Sequence, residues 1–284
     1  MVTKVSSAMQ DLTDDYAFSG TVTGAGNPGR GTIGGLTLTN DGTDADHDIG
    51  IAVGFARDYT DAATMSLTGA LIKRIDATWA VGTNAGGLDS TDTLGATTGY
   101  GVYLIRRSDT GVVDVLMSSD MTAAGSALTM PTNYDQKRLI GWVLTDGSSN
   151  ILSFTQSGDY FRLTGAIPTF VNDSSITATT FENATLPMPP LCIAELYGRM
   201  ENASHSGSRE WLTLMTKGAG EDATDVQEVW MTVETAGTSD ALGRSGTVLL
   251  ASDSGVAYTT REDSGSATVI LKGLACNMLT RSNP

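Results

Sequence analysis

The sequence contains few of the residues that build catalytic and metal centres. It has only two histidines and two cysteines in 284 residues, and their spacing does not match that of a zinc site. It contains neither a G-x-S-x-G nucleophile elbow nor the Gly-Lys pair of a phosphate-binding P-loop. We therefore expect a protein without enzymatic activity and without a cofactor.

Basic residues and long apolar runs are also scarce. Lysine and arginine number 17 against 32 acidic residues, which gives a formal net charge of −15. A field of this sign repels phosphate backbones and anionic lipids, so nucleic acids and membrane surfaces are not expected partners. No run approaches the ~20 apolar residues of a membrane span, and the N-terminal residues lack the apolar core of a secretory signal.

The two cysteines, Cys192 and Cys276, lie in apolar, strand-like runs. Buried free thiols are the favoured interpretation, because unpaired cysteine behaves as a small apolar residue. Two cysteines do not make a disulfide framework. Whether these two are bonded to each other stays open.

The residues that are present favour β-structure. Hydrophobic residues make up 40% of the chain and charged residues only 17%, so Thr, Ser, Asn and Gly must supply much of the polar surface. Apolar, β-branched runs at residues 102–106 and 112–117 flank the turn 108–111 and predict a hairpin. Further strands are predicted at 139–144, 151–154, 160–163, 191–200, 210–217, 228–235, 246–252, 256–261 and 267–278.

These patterns predict an all-β fold with two β-sandwich or jelly-roll-like modules in tandem. A short helix is expected within residues 6–16. The first module is assigned to residues 1–163, and the second, a β-sandwich, to residues 191–284. Residues 164–190 are expected to be a connector, because its last four positions include three prolines, which interrupt strand ladders.

Residues 24–29 read GAGNPG and match the dinucleotide-binding pattern G-x-G-x-x-G literally. That motif needs a helix next, whose N-terminus holds the pyrophosphate. A strand-like run follows here instead, so a glycine-rich loop is the favoured interpretation. The histidines, His47 and His205, lie in polar, loop-like stretches and are expected to be solvated.

Asp44, Asp46 and Asp48 alternate along the chain with the spacing of a calcium loop. The rest of the pattern departs from that loop, because Ile49 stands where it needs glycine and Phe55 where it needs a bidentate glutamate. A solvated aspartate-rich turn is the favoured interpretation, and a calcium site is the alternative.

The segment WAVGTNAGGLDS begins at Trp79 and then becomes rich in glycine and polar residues. We expect Trp79 to anchor the end of a strand in the core and its indole N–H to find one partner. Asn84, Gly86 and Gly87 then permit unusual backbone angles. A sugar-binding loop around Trp79 and Asn84 is the alternative.

Three long stretches resemble a family of structural proteins from tailed bacteriophages and related particles. They read IDATWAVGTNAGGLD, YGVYLIRRSDTGVVDVLMS and MPTNYDQKRLIGWVLTDGSSNILSFTQSGDYF, and DLTDDYAFSGTVTGAGN near the start fits the same pattern. The family includes tail-fibre, tail-tip and head-spike proteins, among them the head spikes of gene transfer agents. The resemblance covers most of residues 10–163 and is weaker beyond. One departure is STDTLGATTGYG, which is longer and richer in threonine than the usual connection before the hairpin.

The resemblance implies a non-enzymatic structural protein located in the virion, as a component of a tail or head fibre or spike. It implies a homotrimer whose partners are other virion proteins, and it implies no catalytic residue. A head decoration protein is one alternative. Another is a module that attaches to the host by binding surface glycans, with exposed aromatic residues at Tyr100, Tyr103, Tyr197 or Trp211. A depolymerase that uses paired carboxylates is the last alternative.

Overall fold

The structure is a computed structural model that describes residues 31–176, 181–201, 209–218, 231–236, 241–261 and 267–282. The predicted helix at 6–16 and the glycine-rich motif at 24–29 lie outside these residues. The described residues form twenty strands and one short helix. No helix in this part of the chain is long and apolar enough to cross a membrane. In chain order they are β1 Ile33–Gly35, β2 Leu38–Asn40, β3 Asp48–Ile51, β4 Gly54–Arg57, β5 Thr64–Leu67, β6 Leu71–Thr78, β7 Ala85–Leu88, β8 Gly99–Arg106, β9 Val113–Ser118, β10 Gln136–Leu144, β11 Phe154–Ser157, β12 Tyr160–Leu163, β13 Thr169–Ile176, β14 Glu182–Thr185, β15 Ile193–Glu201, β16 Arg209–Thr216, β17 Met231–Ala236, β18 Ala241–Leu249, β19 Gly255–Arg261, β20 Ala267–Asn277 and α1 Leu279–Ser282.

The described strands assemble into four sheets, so the all-β prediction is confirmed. The largest sheet has the order β10-β8-β9-β7-β6-β3-β2, and a small sheet has the order β1-β4-β5. The later strands form the sheets β11-β12-β20-β15-β18, in which β13 also pairs with β20, and β14-β19-β16-β17. Pairing is antiparallel except at β6–β7 and β7–β9.

The predicted hairpin is the pair β8–β9. Its register runs from Arg106 opposite Val113 to Gly101 opposite Ser118. The turn is closed by a bond from the Gly111 N–H to the Arg107 carbonyl at 2.9 Å, and Gly111 has a φ of 76°. Glycine adopts this left-handed angle without strain, which is why an Asp-Thr-Gly sequence makes this turn.

Strands β8 and β10 are buried along nearly their whole length, whereas β6 alternates between buried and exposed residues. Continuous burial means that both faces of the large sheet are covered at this end. Gly141 in β10 shows how tightly they are covered, because a Cβ there would lie 2.4 Å from Leu38 and 2.9 Å from Phe161. Leu38 comes from β2 and Phe161 from β12.

One hydrophobic core extends from Leu36 to Met278 and includes strands on both sides of residue 163. The hairpin β11–β12 precedes that position but pairs with β20, through Phe161 opposite Cys276. The expected boundary at residue 163 therefore falls between β12 and β20, which are hydrogen-bonded neighbours in one sheet. The segment 164–190 is also more regular than the connector we expected, because it contains β13 and β14.

Two buried arginines join the end of the chain to β10. Arg281 donates to the Ile140 carbonyl at 2.7 Å and to the Asp159 carboxylate at 2.8 Å. Arg138 donates to the Gly31 carbonyl at 3.1 Å and to the Arg281 carbonyl. Burial, and then the nearby charge of Arg281, lower the pKa of Arg138 to about 10. These contacts fix both ends of the described chain to one strand.

Candidate functional site

A buried ion pair holds the loop that follows β6. The side chains of Lys73 and Asp114 are 0% and 1% exposed, and Lys73 Nζ lies 3.2 Å from Asp114 Oδ1. Lys73 also donates to the carbonyls of Ala80 at 2.7 Å and Gly82 at 3.2 Å, while Asp114 Oδ2 accepts from the Gly82 N–H at 2.8 Å. Burial lowers the pKa of Lys73, and the charge of Asp114 opposes this. Because a buried charge is tolerated only when it is paired and hydrogen-bonded, the pair fixes this loop in one conformation.

Trp79 lies half-buried at the start of the same loop. Its indole N–H donates to the Val115 carbonyl at 3.1 Å, which confirms the expected anchor with one partner. The ring of Tyr134 meets the indole edge-on, with centroids 5.2 Å apart and planes at 76°. Lys73 Nζ lies 5.5 Å from the indole centroid. Edge-to-face and cation–π contacts of this kind hold an aromatic ring in a fixed orientation.

The backbone conformation of the glycine-rich part of the loop explains which residues occupy it. Asn84 has a φ of 55°, Gly82 has a φ of 100°, and the Asn84 N–H donates to the Ile72 carbonyl at 2.8 Å. At Gly86, a Cβ would lie 2.0 Å from the Thr78 carbonyl oxygen. The exposed side chain of Asn84 is not among the groups around the indole, so the role found for it is conformational.

A cleft of about 260 Å³ opens beside the indole, and we call it the Trp79 groove. Four of its lining residues carry hydroxyl groups and are exposed, and we call these four the rim. The other four are apolar or aromatic and are buried or half-buried. The cleft is slightly smaller than the roughly 300–1,000 Å³ of typical ligand pockets, so it suits one ring of a larger ligand. The lining residues are Thr78, Trp79, Ser90, Leu116, Thr129, Met130, Pro131 and Thr132.

One buried carboxylate ties the two walls of the Trp79 groove together. Asp89 is 1% exposed. Its Oδ1 accepts from the Thr91 N–H at 3.0 Å and from the Thr91 hydroxyl at 2.9 Å, and its Oδ2 accepts from the Thr129 N–H at 2.7 Å. The two threonine hydroxyls are 3.1 Å apart. Asp89 therefore sets the width of the groove without lining it.

The contact between Asp89 and Thr91 belongs to a recurring pattern, which we call the aspartate clamps. In each clamp an aspartate accepts a hydrogen bond from the backbone N–H of a Thr or Ser two residues later, as in an Asx-turn. Hydrogen bonds from Thr43 and then Asp44 lower the pKa of Asp41, since they favour the ionised form. The five clamps are Asp41–Thr43 at 2.7 Å, Asp58–Thr60 at 3.2 Å, Asp89–Thr91 at 3.0 Å, Asp120–Thr122 at 2.8 Å and Asp146–Ser148 at 2.7 Å.

Other aspartates connect segments that are distant in sequence. Asp92 accepts from the Ser119 N–H at 2.8 Å and from the hydroxyls of Ser118 and Ser119 at 2.8 and 2.6 Å. Asp135 accepts from the Ser108 N–H at 2.9 Å, and the bonds from Ser108 lower the pKa of Asp135. Much of the acidic charge of this part of the chain therefore stabilises loops. The repeated spacing Asp-x-Thr or Asp-x-Ser is the sequence signal that could have identified the clamps.

The expectation of exposed tyrosines on β8 is wrong. Tyr100 and Tyr103 are both 0% exposed, because β8 is an interior strand covered on both faces. The Tyr100 hydroxyl donates to the Thr93 carbonyl at 2.9 Å and accepts from the Gly95 N–H at 2.7 Å, and the Tyr103 hydroxyl donates to the Thr122 carbonyl at 2.5 Å. Both tyrosines stabilise loops and are closed to a ligand.

The remaining aromatic candidates lie elsewhere. Tyr197 is half-buried in β15, where it pairs with Ser245 on one side and Lys272 on the other, and it does not line the Trp79 groove. Trp211 belongs to β16, and its side chain lies outside the described part of the structure. Of the six aromatic and amide residues predicted for a binding site, Trp79 lines the groove. The other four whose side chains are described, namely Asn84, Tyr100, Tyr103 and Tyr197, do not line it.

The three aspartates of the calcium alternative do not converge. Asp44 Oδ1 accepts from the His47 N–H at 3.2 Å and lies 3.4 Å from His47 Nδ1. Asp46 is exposed and Asp48 half-buried, and burial followed by the charge of Asp44 raises the pKa of Asp48. Within the described ranges no group of three or more acidic, His or Cys side chains is suited to a metal ion. Calcium binding stays a prediction that this geometry does not favour, and His205 lies outside the described residues.

Comparisons with known proteins give little. No protein-family model matches the chain, and no curated protein matches it. Among solved structures, it is similar to the isomalto-dextranase of Arthrobacter globiformis T6 complexed with panose, at 13% identity and a TM-score of 0.21. That match covers 82% of this chain and 35% of the other, so this chain spans about a third of the enzyme's length. A similarity at this level carries no argument about fold or function.

Proposed function

We propose that the chain is a non-enzymatic structural protein of a tailed-bacteriophage particle and forms part of a tail or head fibre or spike as a homotrimer. The observation that supports this most is the set of five aspartate clamps. They use buried and half-buried carboxylates to hold loops of an all-β scaffold, so this acidic charge has a structural use. The resemblance of residues 10–163 to fibre and spike proteins gives the proposal its biological setting.

The chemistry of the described clefts agrees with a role in assembly. Three clefts in the described part of the chain are lined by hydroxyl, backbone and apolar groups, and no Asp, Glu, His, Lys, Arg or Cys side chain lines these three. Hydrolysis by paired carboxylates would need two such groups to face one cleft. A rigid β-scaffold with clamped loops is instead suited to present fixed surfaces to other subunits.

Light scattering on the purified protein tests the assembly state. The proposal predicts a mass close to three times the chain mass of 29.6 kDa. Dilution that dissociates the trimer should also unfold the chain, because burial between subunits couples folding to association. A monomer at all concentrations would contradict the trimer and would favour a decoration or adaptor protein instead.

A second candidate function, binding of a neutral glycan on the host surface, is favoured by the Trp79 groove. A fixed, half-buried indole with hydroxyl groups around it offers an apolar face to a sugar ring and polar partners to its hydroxyls. With no charged side chain in the lining and a net charge of −15, the groove is unsuited to acidic sugars. Binding and assembly can be combined in one protein.

A glycan array tests this candidate with matched variants. We expect binding to neutral glycans, lost in Trp79→Ala and weakened in Thr132→Ala, which removes an exposed rim hydroxyl. Val81→Ala is the control, because Val81 is 63% exposed in the same loop but does not line the groove. No binding, or equal binding by all variants, would reject the groove. Release of reducing sugar ends from a bound glycan would show catalysis and would contradict the non-enzymatic proposal.

A further inference from the structure

The two cysteines of the chain meet on one face of a sheet. Cys276 of β20 pairs with Ala194 of β15, and Cys192 lies two residues before Ala194. Side chains two residues apart in an extended segment point to the same face. All three residues are 0% exposed, so both thiols point into the core. The Cys192 side chain lies near enough to the Cys276 thiol to influence it directly.

Both thiols are free and fully buried in this structure, so the fold shields them from reagents in solution. Burial, reinforced by the neighbouring Cys192, raises the pKa of the Cys276 thiol. The thiolate is the reactive form of cysteine, so a thiol with a raised pKa reacts slowly at neutral pH. An oxidant therefore needs local opening of the strand ends to reach this pair.

We infer that Cys192 and Cys276 are a disulfide-forming pair that closes when the protein enters an oxidising medium. The thiolate of one cysteine attacks a small-molecule disulfide, forms a mixed disulfide with one of its halves and releases the other half as a thiol. The thiolate of the second cysteine then attacks the protein sulfur of the mixed disulfide and releases the remaining half. Two protein thiols are oxidised, and the external disulfide is reduced to two thiols.

The bond would join two strands that are far apart in sequence. It would close a loop of about 85 residues, and loops of this length give large stabilisation because they restrict the unfolded chain. We expect the midpoint of thermal unfolding to rise by about 10 °C on oxidation. A protein that folds in a reducing cytoplasm and then acts outside the cell would gain this stability only after release.

The test is to incubate the full chain with oxidised glutathione, with and without a low concentration of urea that promotes local opening. We expect the loss of both titratable thiols, a peptide linking Cys192 to Cys276 in a non-reducing digest, and a higher unfolding midpoint that dithiothreitol reverses. Cys192→Ser and Cys276→Ser are the matched variants, and neither should gain stability on oxidation.

Either of two chemical outcomes would overturn the inference, and so would one result of the stability measurement. One is that both cysteines remain open to alkylation after oxidation, even in urea. The other is that stable glutathione adducts accumulate on both cysteines, because that would show that the sulfurs cannot reach each other. A rise in the unfolding midpoint of the single-cysteine variants would assign the stabilisation to another cause and would also reject it.

Discussion

Removing the charge of Asp114 should destabilise the protein strongly, because it leaves the ammonium group of Lys73 buried without its ion-pair partner. Asp114→Asn keeps the size of the side chain and leaves an oxygen for the Gly82 N–H, so the charge is the main change. Breaking a buried pair in this way costs about 3–5 kcal/mol. The loss of unfolding free energy in Asp114→Asn has an upper bound, because the Lys73 ammonium group can release its proton and become neutral. Doing so at pH 7 costs about 5 kcal/mol for an ordinary lysine pKa of about 10.4.

The double variant Lys73→Met/Asp114→Asn shows how much of the loss comes from leaving one charge buried without the other. It removes both charges, and the carbonyls of Ala80 and Gly82, which lose a donor, lie in a loop that water can reach. The double variant should therefore be more stable than the sum of the single changes predicts, by about 2–3 kcal/mol. Urea unfolding followed by far-ultraviolet circular dichroism measures the free energy of unfolding of Lys73→Met, of Asp114→Asn and of the double variant, each relative to the unmodified protein.

A neighbouring exposed pair supplies the control. Arg74 and Asp76 lie 3.2 Å apart, with side chains 46% and 33% exposed. Asp76→Asn should change the free energy of unfolding by no more than about 1 kcal/mol, because water screens an exposed pair. If Asp114→Asn also costs less than about 1 kcal/mol, or if the effects at Lys73 and Asp114 simply add, the argument that this pair fixes the loop is refuted.

The pH dependence has a definite sign. The folded pKa of Lys73 lies below its unfolded value because burial disfavours the charged form. Between these two pKa values the unfolded chain binds more protons than the folded chain, so stability rises with pH in that interval. Loss of the Asp114 charge lowers the folded pKa further. Asp114→Asn should therefore regain stability between pH 7 and pH 10, and by more than the unmodified protein gains.

Three other predictions use the same unfolding assay. Gly86→Ala should lower the free energy of unfolding by about 3 kcal/mol or more, because the new Cβ would lie 2.0 Å from the Thr78 carbonyl oxygen. Gly69→Ala is its control and should be nearly neutral, because the space around Gly69 is open. Asp89→Ala should lower the free energy of unfolding by about 2–4 kcal/mol, because three hydrogen bonds to a buried carboxylate are lost. Its control, Ser90→Ala, changes an exposed neighbour and should lower that free energy by less than about 0.5 kcal/mol. Stability should fall as the pH drops from about 4 to about 2, because carboxylates such as Asp109, whose pKa the Arg107 side chain lowers to about 2, resist protonation only in the folded chain. An unchanged midpoint across that pH range would contradict the last of these.

Strands with strong apolar patterns could be predicted from the sequence. The hairpin β8–β9, the strand β12 and the six strands after residue 190 lie within a few residues of the predicted ranges. The strands β13 and β14 were missed. Their residues include polar runs such as Asn172–Asp173 and Glu182–Asn183, and their pairing with β20 and β19 depends on partners far along the chain. No local pattern reports a partner of that kind.

The candidate site was predictable in part. The role of Trp79 as an anchor follows from the size of the indole and its N–H group, and the structure confirms it. The buried position of Lys73 was not predictable, because lysine is almost always exposed unless it is paired, and its partner Asp114 lies 41 positions later in the sequence. Tyr100 and Tyr103 were misjudged for a related reason: β8 becomes an interior strand only once β9 and β10 have paired with it.

The most direct test of the proposed function is to ask whether this chain is present in purified phage particles from the genome that encodes it. Immunogold labelling of intact particles should place the protein on an external fibre or spike. Deletion of its gene should remove both the label and that appendage while leaving the capsid intact. Particles that retain all their appendages after deletion, together with preparations that lack the protein, would contradict the account.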